Sequence, residues 1–198
     1  MRVQWALEEM GLPYEVRALD YLGGAACSPE LSAISPFNQI PVLEHDGLVL
    51  AESGAILIHL AESSGRLTLA SYEGRLRVAQ WCFAAAATVG PTLSMIAMVD
   101  EDLMGSDPAA RTFLVDLGRR WLEGVDRQLE GQGWITGDDF TVADIMLAHS
   151  LREVRDTDLM DAYSNVADFY SRALARPAWQ KTRVLTAERL GVDMCQIP

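Results

Sequence analysis

"SPFNQIPVLEHDGLVLAESGAILIHLAE", Ser35 to Glu62, decides the reading of this chain. Asp46-Gly47 stands between two short apolar runs and supplies the positive φ angles of a two-residue turn, so "PVLEHDGLVLA" is predicted to be a β-hairpin. "SGAILIHLAE" then follows as a helix. At the near end of this unit lies Ile40-Pro41. An X-Pro bond adopts cis at low cost, and a cis bond before a strand would turn the Ile40 N–H and C=O outward, ready to pair with an extended, peptide-like ligand. At the far end Glu52 and Ser53 open the helix, where free N–H groups and the dipole favour a carboxylate and the hydroxyl adds a donor. Glu52 is suited to an ammonium. A ligand carrying both charges on one carbon, the head of an amino acid, satisfies the pair.

Each of these residues also has an ordinary explanation. Ser53 is a good N-cap, Pro41 an acceptable trans edge residue, and Glu52 a solvated acid. Their placement at the two ends of one hairpin-helix unit is what points to a ligand. His45 in the hairpin and His59 on an apolar helix face have no partner visible in the sequence and are given no role.

Outward from this unit the chain divides. Residues 1–65 alternate helix and strand patterns: "RVQWALEEMG" places Val3, Ala6, Leu7 and Met10 on one face with Gly11 as a stop, and "YEVRAL" alternates as a strand does. Residues 72–198 read as almost wholly helical. "RTFLVDLGRRWLEGVDRQLEG" carries a stripe of Leu114, Leu117, Trp121, Val125 and Leu129, and "NVADFYSRALARPAWQ" a stripe of Val166, Phe169, Tyr170 and Ala173. "FTVADIMLAHS" is a strongly specified helix start, with Thr141 and Asp144 forming a capping box and Phe140 stapling onto Ile145; capping accounts for Asp144 better than catalysis does.

Composition removes several classes. A formal net charge of −12, with 16 scattered Lys and Arg, argues against nucleic acid. Cys27, Cys82 and Cys195 show neither a CxxC nor His at ligand spacing, so no disulfide framework and no metal is implied, and a reducing cytoplasm fits. The opening "MRVQWALEEMG" is not a signal peptide. "WCFAAAATVGPTLSMIAMV", Trp81 to Val99, is uncharged and as long as a bilayer span, but its Ala, Thr, Ser, Gly90 and Pro91 content predicts a buried, kinked helix rather than a membrane segment.

Taken together, "NQIPVLEHDGLVLAESGAILIHLAE", "RVQWALEEMGLPYEVRALD", "FTVADIMLAHS" and "ARPAWQKT" resemble a cytosolic glutathione S-transferase over nearly the whole chain. The resemblance implies a thioredoxin-like N-terminal domain followed by an all-helical C-terminal bundle, and a homodimer. It implies that the Ile40 backbone, held by Pro41, pairs with the cysteinyl part of glutathione, that Glu52 and Ser53 hold the γ-glutamyl head, and that Gln39 lies near the glycyl carboxylate, although Asn38 replaces a commoner Gly there.

One part of the family pattern has no counterpart in these residues. Members usually carry a strand and a short loop with a Ser, Tyr or Cys ahead of the helix matched by "RVQWALEEMG". The catalytic residue is therefore unassigned. That strand would lie between "YEVRAL" and the hairpin, and without it their backbone groups lose ladder partners. The start of the first helix and Arg2 are a weak substitute for stabilising a thiolate, and Cys27 and Cys82 are read as structural or incidental. The expected function is to bind glutathione and conjugate its thiolate to a small hydrophobic electrophile lying near Met95 and Met98, with no cofactor beyond glutathione. The alternative is a non-catalytic docking module that has kept the fold.

Overall fold

A computed structural model of the chain describes residues 1–19, 28–103 and 107–197. The hairpin forms as its turn dictates. Strands β1 (Val42–His45) and β2 (Leu48–Ala51) pair antiparallel in the register Val42↔Ala51 to His45↔Leu48, with Asp46 and Gly47 at φ 51° and 81°. Helix α1 (Arg2–Met10) precedes them, α2 (Pro29–Ile34) leads into the hairpin loop, and α3 (Ser53–Ser64) leaves it. Ser28 caps α2 by accepting the Leu31 N–H, and Gly11 and Gly65 end α1 and α3 in the left-handed conformation.

"YEVRAL" is not a strand. Residues 14–19 run without ladder pairing, because the described sheet is β1 and β2 alone and nothing in it lies beside them. A strand's alternating pattern is satisfied only when a neighbour supplies the hydrogen bonds.

The rest is helical: α4 (Tyr72–Ala84), α5 (Gly90–Asp100), α6 (Pro108–Leu129), α7 (Val142–Leu151), α8 (Ser164–Leu174) and α9 (Pro177–Leu190). Helix α7 is buried almost throughout and packs against α1, α3, α4, α5 and α8. Its start is pinned as the sequence predicts. The Asp144 carboxylate accepts from the Thr141 N–H (2.8 Å) and hydroxyl (3.0 Å), and it also accepts the Ile135 N–H (2.8 Å), a third bond the sequence pattern does not reveal.

The kink expected at Pro91 takes a specific form. Ala85–Val89 is a π-helical segment joining α4 to α5, and the Gly90 N–H reaches back to the Ala85 carbonyl. That carbonyl also accepts the Ser150 hydroxyl of α7 at 3.2 Å. By length and composition Tyr72–Asp100 could pass for a membrane span; Val78, Cys82, Ala85, Val89, Leu93 and Ile96 lie buried in the protein core instead. A Cβ on Gly90 would stand 2.5 Å from the Ala85 oxygen and 3.0 Å from Ser150 Oγ, two atoms bonded to each other. Gly90→Ala is therefore expected to cost about 2–3 kcal/mol, read as a lowered urea midpoint at unchanged slope.

Two stripes differ from their sequence reading. In α6 the buried row is Leu114, Gly118, Leu122, Val125 and Leu129, with Leu117 and Trp121 half-buried beside it. Gly118 is chosen because Ile96 Cδ1 comes within 2.9 Å of where its Cβ would be. In α1 the largest buried side chain is Trp5, stacked near Trp179 with ring centroids 4.8 Å apart, whereas Val3 is only partly covered.

Candidate functional site

The loop before β1 is tied down by one serine. Ser35 Oγ donates to the Gln39 carbonyl and accepts the Gln39 N–H, both at 2.9 Å, while Asn38 takes a left-handed φ of 53° and its side chain accepts the Ser32 hydroxyl. Asn tolerates that conformation with little penalty, which explains how it stands in for a glycine. The Ile40–Pro41 peptide is cis, and Ile40 is 49% exposed. Neither its N–H nor its carbonyl bonds to another described residue. Gln39 lies beside it, exposed, its amide only 3.5 Å from the Phe37 carbonyl.

At the other end the structure separates two explanations of Ser53. The N-cap position of α3 is Glu52, whose side chain makes no capping bond, and Ser53 is already the first helical residue. The Ser53 hydroxyl is thus not spent on a cap. The N–H groups of the first turn remain without side-chain acceptors. Glu52 itself has φ 69° and ψ 112°, a backbone state that non-glycine residues rarely adopt. That strain holds an exposed carboxylate directly beside the free helix start. It has no signature in the sequence.

Arg2 opens α1 and aims Nη1 at Ser53 Oγ, 3.4 Å away, with its buried Nε unpartnered and no ion pair to a described carboxylate. Burial draws its pKa down, and Glu153 acts in the opposite direction. Nearby, buried Arg152 stacks over Trp179 and donates to His149 Nε2 at 3.0 Å. Burial first, then Arg2 and Arg152, hold His149 well below the usual histidine range, so it is a neutral imidazole and the proton lies on Nδ1. The domain junction at the start of α1 is accordingly electropositive.

The sequence-predicted residues fall as follows. Gln39, Ile40 and Pro41 cluster at the entrance to β1, and Glu52 and Ser53 at the exit of β2, the two ends of one hairpin. Cys82 is buried, and burial followed by the Asp144 charge pushes its thiol up to about 12, which makes it inert. Cys27 lies outside the described residues. Met95 and Met98 are both partly exposed on α5. His45 and His59 do have partners: each other. His45 Nδ1 and His59 Nε2 are 2.9 Å apart, a pairing that depends on hairpin register and could not be read from spacing.

Comparison with known proteins agrees with this architecture. The sequence model of the glutathione S-transferase N-terminal domain matches residues 1–62, and that of the glutathione S-transferase C-terminal domain matches residues 96–181. The chain is 32% identical over 183 residues to the disulfide-bond oxidoreductase YfcG of Escherichia coli, covering 87% of this chain and 84% of that one. It is 28% identical to glutathione S-transferase 3 of Zea mays, covering 92% and 87%. Among solved structures it superposes with a TM-score of 0.83 at 30% identity, over 91% and 86% of the two chains, on a Pseudomonas fluorescens glutathione transferase family member with two glutathione bound. A Pseudomonas putida glutathione transferase with glutathione disulfide bound gives 0.82 at 29% identity, over 91% and 84%. The chain belongs to the glutathione S-transferase family, with that family's thioredoxin-like N-terminal domain and helical C-terminal domain.

Proposed function

We propose that the protein binds glutathione along the hairpin-helix unit and uses its thiolate against a small hydrophobic electrophile. The cysteinyl part pairs with the free N–H and C=O of Ile40, the γ-glutamyl carboxylate sits on Ser53 and the start of α3, its ammonium meets Glu52, and Gln39 faces the glycyl end. The observation that carries this reading is the uncapped start of α3, where the Ser53 hydroxyl is not spent on a cap and a strained carboxylate stands beside it. The electrophile lies against Met95 and Met98, whose flexible thioethers suit irregular apolar ligands. The thiolate sulfur attacks carbon, a C–S bond forms, and the halide or equivalent leaving group departs with the bonding pair.

The start of α1, with Arg2 and Arg152 beside it, favours a thiolate at that end of the site. Relatedness to a disulfide-bond oxidoreductase favours a second reading, in which two glutathione reduce a small disulfide to two thiols and leave glutathione disulfide. Parallel assays with chloronitrobenzene and hydroxyethyl disulfide decide between them. Activity with neither, in a chain that binds glutathione, would favour the docking-module alternative.

The proposed setting is the cytoplasm, and the proposed state a homodimer. Tyr72, Leu76 and Phe83 lie on one face of α4, exposed by 64, 51 and 67%, an apolar patch suited to a symmetric contact. Sedimentation at micromolar concentration should show dimer for the native chain and monomer for Leu76→Glu/Phe83→Glu; a native monomer would contradict the proposal.

A further inference from the structure

Arg2 and Ser53 are 51 residues apart and each is the first residue of a helix, yet their side chains meet. Arg2 Nη1 donates to Ser53 Oγ at 3.4 Å, which is long for such a bond, so the guanidinium is held beside the hydroxyl rather than consumed by it. Arg2 Nε is buried and makes no hydrogen bond, and among the described residues no carboxylate stands at ion-pair distance from the guanidinium. Glu153 acts on it through space, against the larger effect of burial. An arginine keeps its proton in such surroundings. A guanidinium drawn out of water with a hydroxyl for a partner is an uncompensated charge, and an anion set against it recovers part of what desolvation costs.

The neighbours say which anion. Because the Ser53 hydroxyl accepts from Arg2, its own proton is left to donate, and the first-turn N–H groups of α3 beside it have no side-chain acceptor. Guanidinium, hydroxyl and backbone N–H thus share one corner of the fold, and a carboxylate has the lone pairs to accept from all three. The residue next to Ser53 carries the opposite sign: Glu52 is exposed, and its side chain makes no capping bond. One serine is therefore flanked by a cation and an anion. That arrangement complements a carboxylate and an ammonium carried on a single carbon.

We infer that Arg2 is a specificity-determining residue of the glutathione site, supplying the full positive charge that selects the α-carboxylate of the γ-glutamyl head. The inference rests on the placement of glutathione proposed above and adds a demand to it: the ligand must carry a carboxylate beside its amine. A ligand with the amine alone leaves Arg2 buried without an anion, so it loses more than one neutral hydrogen bond.

The test is calorimetric titration with two ligands, glutathione and 4-aminobutanoyl-cysteinylglycine, which is glutathione with the α-carboxylate replaced by hydrogen. The native chain should prefer glutathione by about tenfold or more. Arg2→Met, uncharged and of similar length, should lose about that factor for glutathione while holding the analogue as the native chain does, and Arg2→Lys should recover part of the preference. Equal weakening of both ligands in Arg2→Met would place Arg2 at a group they share, and an unchanged preference would leave the discrimination to Ser53 and α3; either result overturns the inference while the glutathione reading stands. A native chain that binds neither ligand would overturn that reading and the inference with it.

Discussion

Replacing Asp144 with alanine is expected to lower the unfolding free energy by about 3–5 kcal/mol, because it strands two buried backbone N–H groups, of Ile135 and Thr141, and a buried hydroxyl that all donate to this one carboxylate. Helix α7, which Asp144 starts, contacts elements on both sides of the molecule, so the loss should appear as a cooperative drop in the denaturation midpoint rather than as local fraying. The carboxylate also has a pH signature. Burial pushes its pKa up to about 6, and the three hydrogen-bond donors pull in the opposite direction without overcoming it. An acid whose pKa is higher folded than the roughly 3.9 of an unfolded Asp holds its proton more tightly in the native state. Its contribution is therefore fully present below about pH 4 and lost as pH rises through 6, by on the order of 3 kcal/mol. Urea melts of the native chain and Asp144→Asn between pH 4 and 7 should converge as pH rises, since the amide does not titrate. Parallel curves would show that the Asp144 pKa is not raised.

How much of this was legible in the sequence depends on the range of the interaction. The hairpin, α3 and the start of α7 were readable because each is fixed by residues within four positions: Asp46-Gly47 for the turn, Thr141 and Asp144 for the cap. "YEVRAL" failed because a strand is a property of its neighbour as much as of its own alternation. The α6 stripe came out rotated because Gly118 has no hydrophobic side chain and yet faces the core, where Ile96 leaves no room for one. At the candidate site the residue types were legible and the geometry was not. The positive φ of Glu52, which frees Ser53 from capping, and the approach of Arg2 from 51 residues away arise only when hairpin and helices are assembled. The histidine pair was missed for the same reason: spacing of 14 means nothing until register sets it.

The second large effect is expected at the proposed glutathione site. Ser53 offers its hydroxyl and the first-turn N–H groups to a carboxylate, and Glu52 offers a fixed charge to an ammonium, so each partner is a charged hydrogen bond worth about 1.5–3 kcal/mol. Ser53→Ala and Glu52→Gln should each weaken glutathione binding by roughly tenfold to a hundredfold, the range to which about 1.5–3 kcal/mol corresponds. Glu52→Gln leaves the backbone demand at that position unchanged, so its effect reports the charge. S-methylglutathione should bind the native chain as glutathione does, because neither residue reaches the sulfur.

Calorimetric titration of glutathione into the native chain and into Ser53→Ala tests the central claim most directly. The native chain is expected to bind one glutathione at the hairpin-helix unit, with the serine variant at least tenfold weaker and melting within a few degrees of the native protein; equal affinity in the two, or no binding by the native chain, would contradict the assignment.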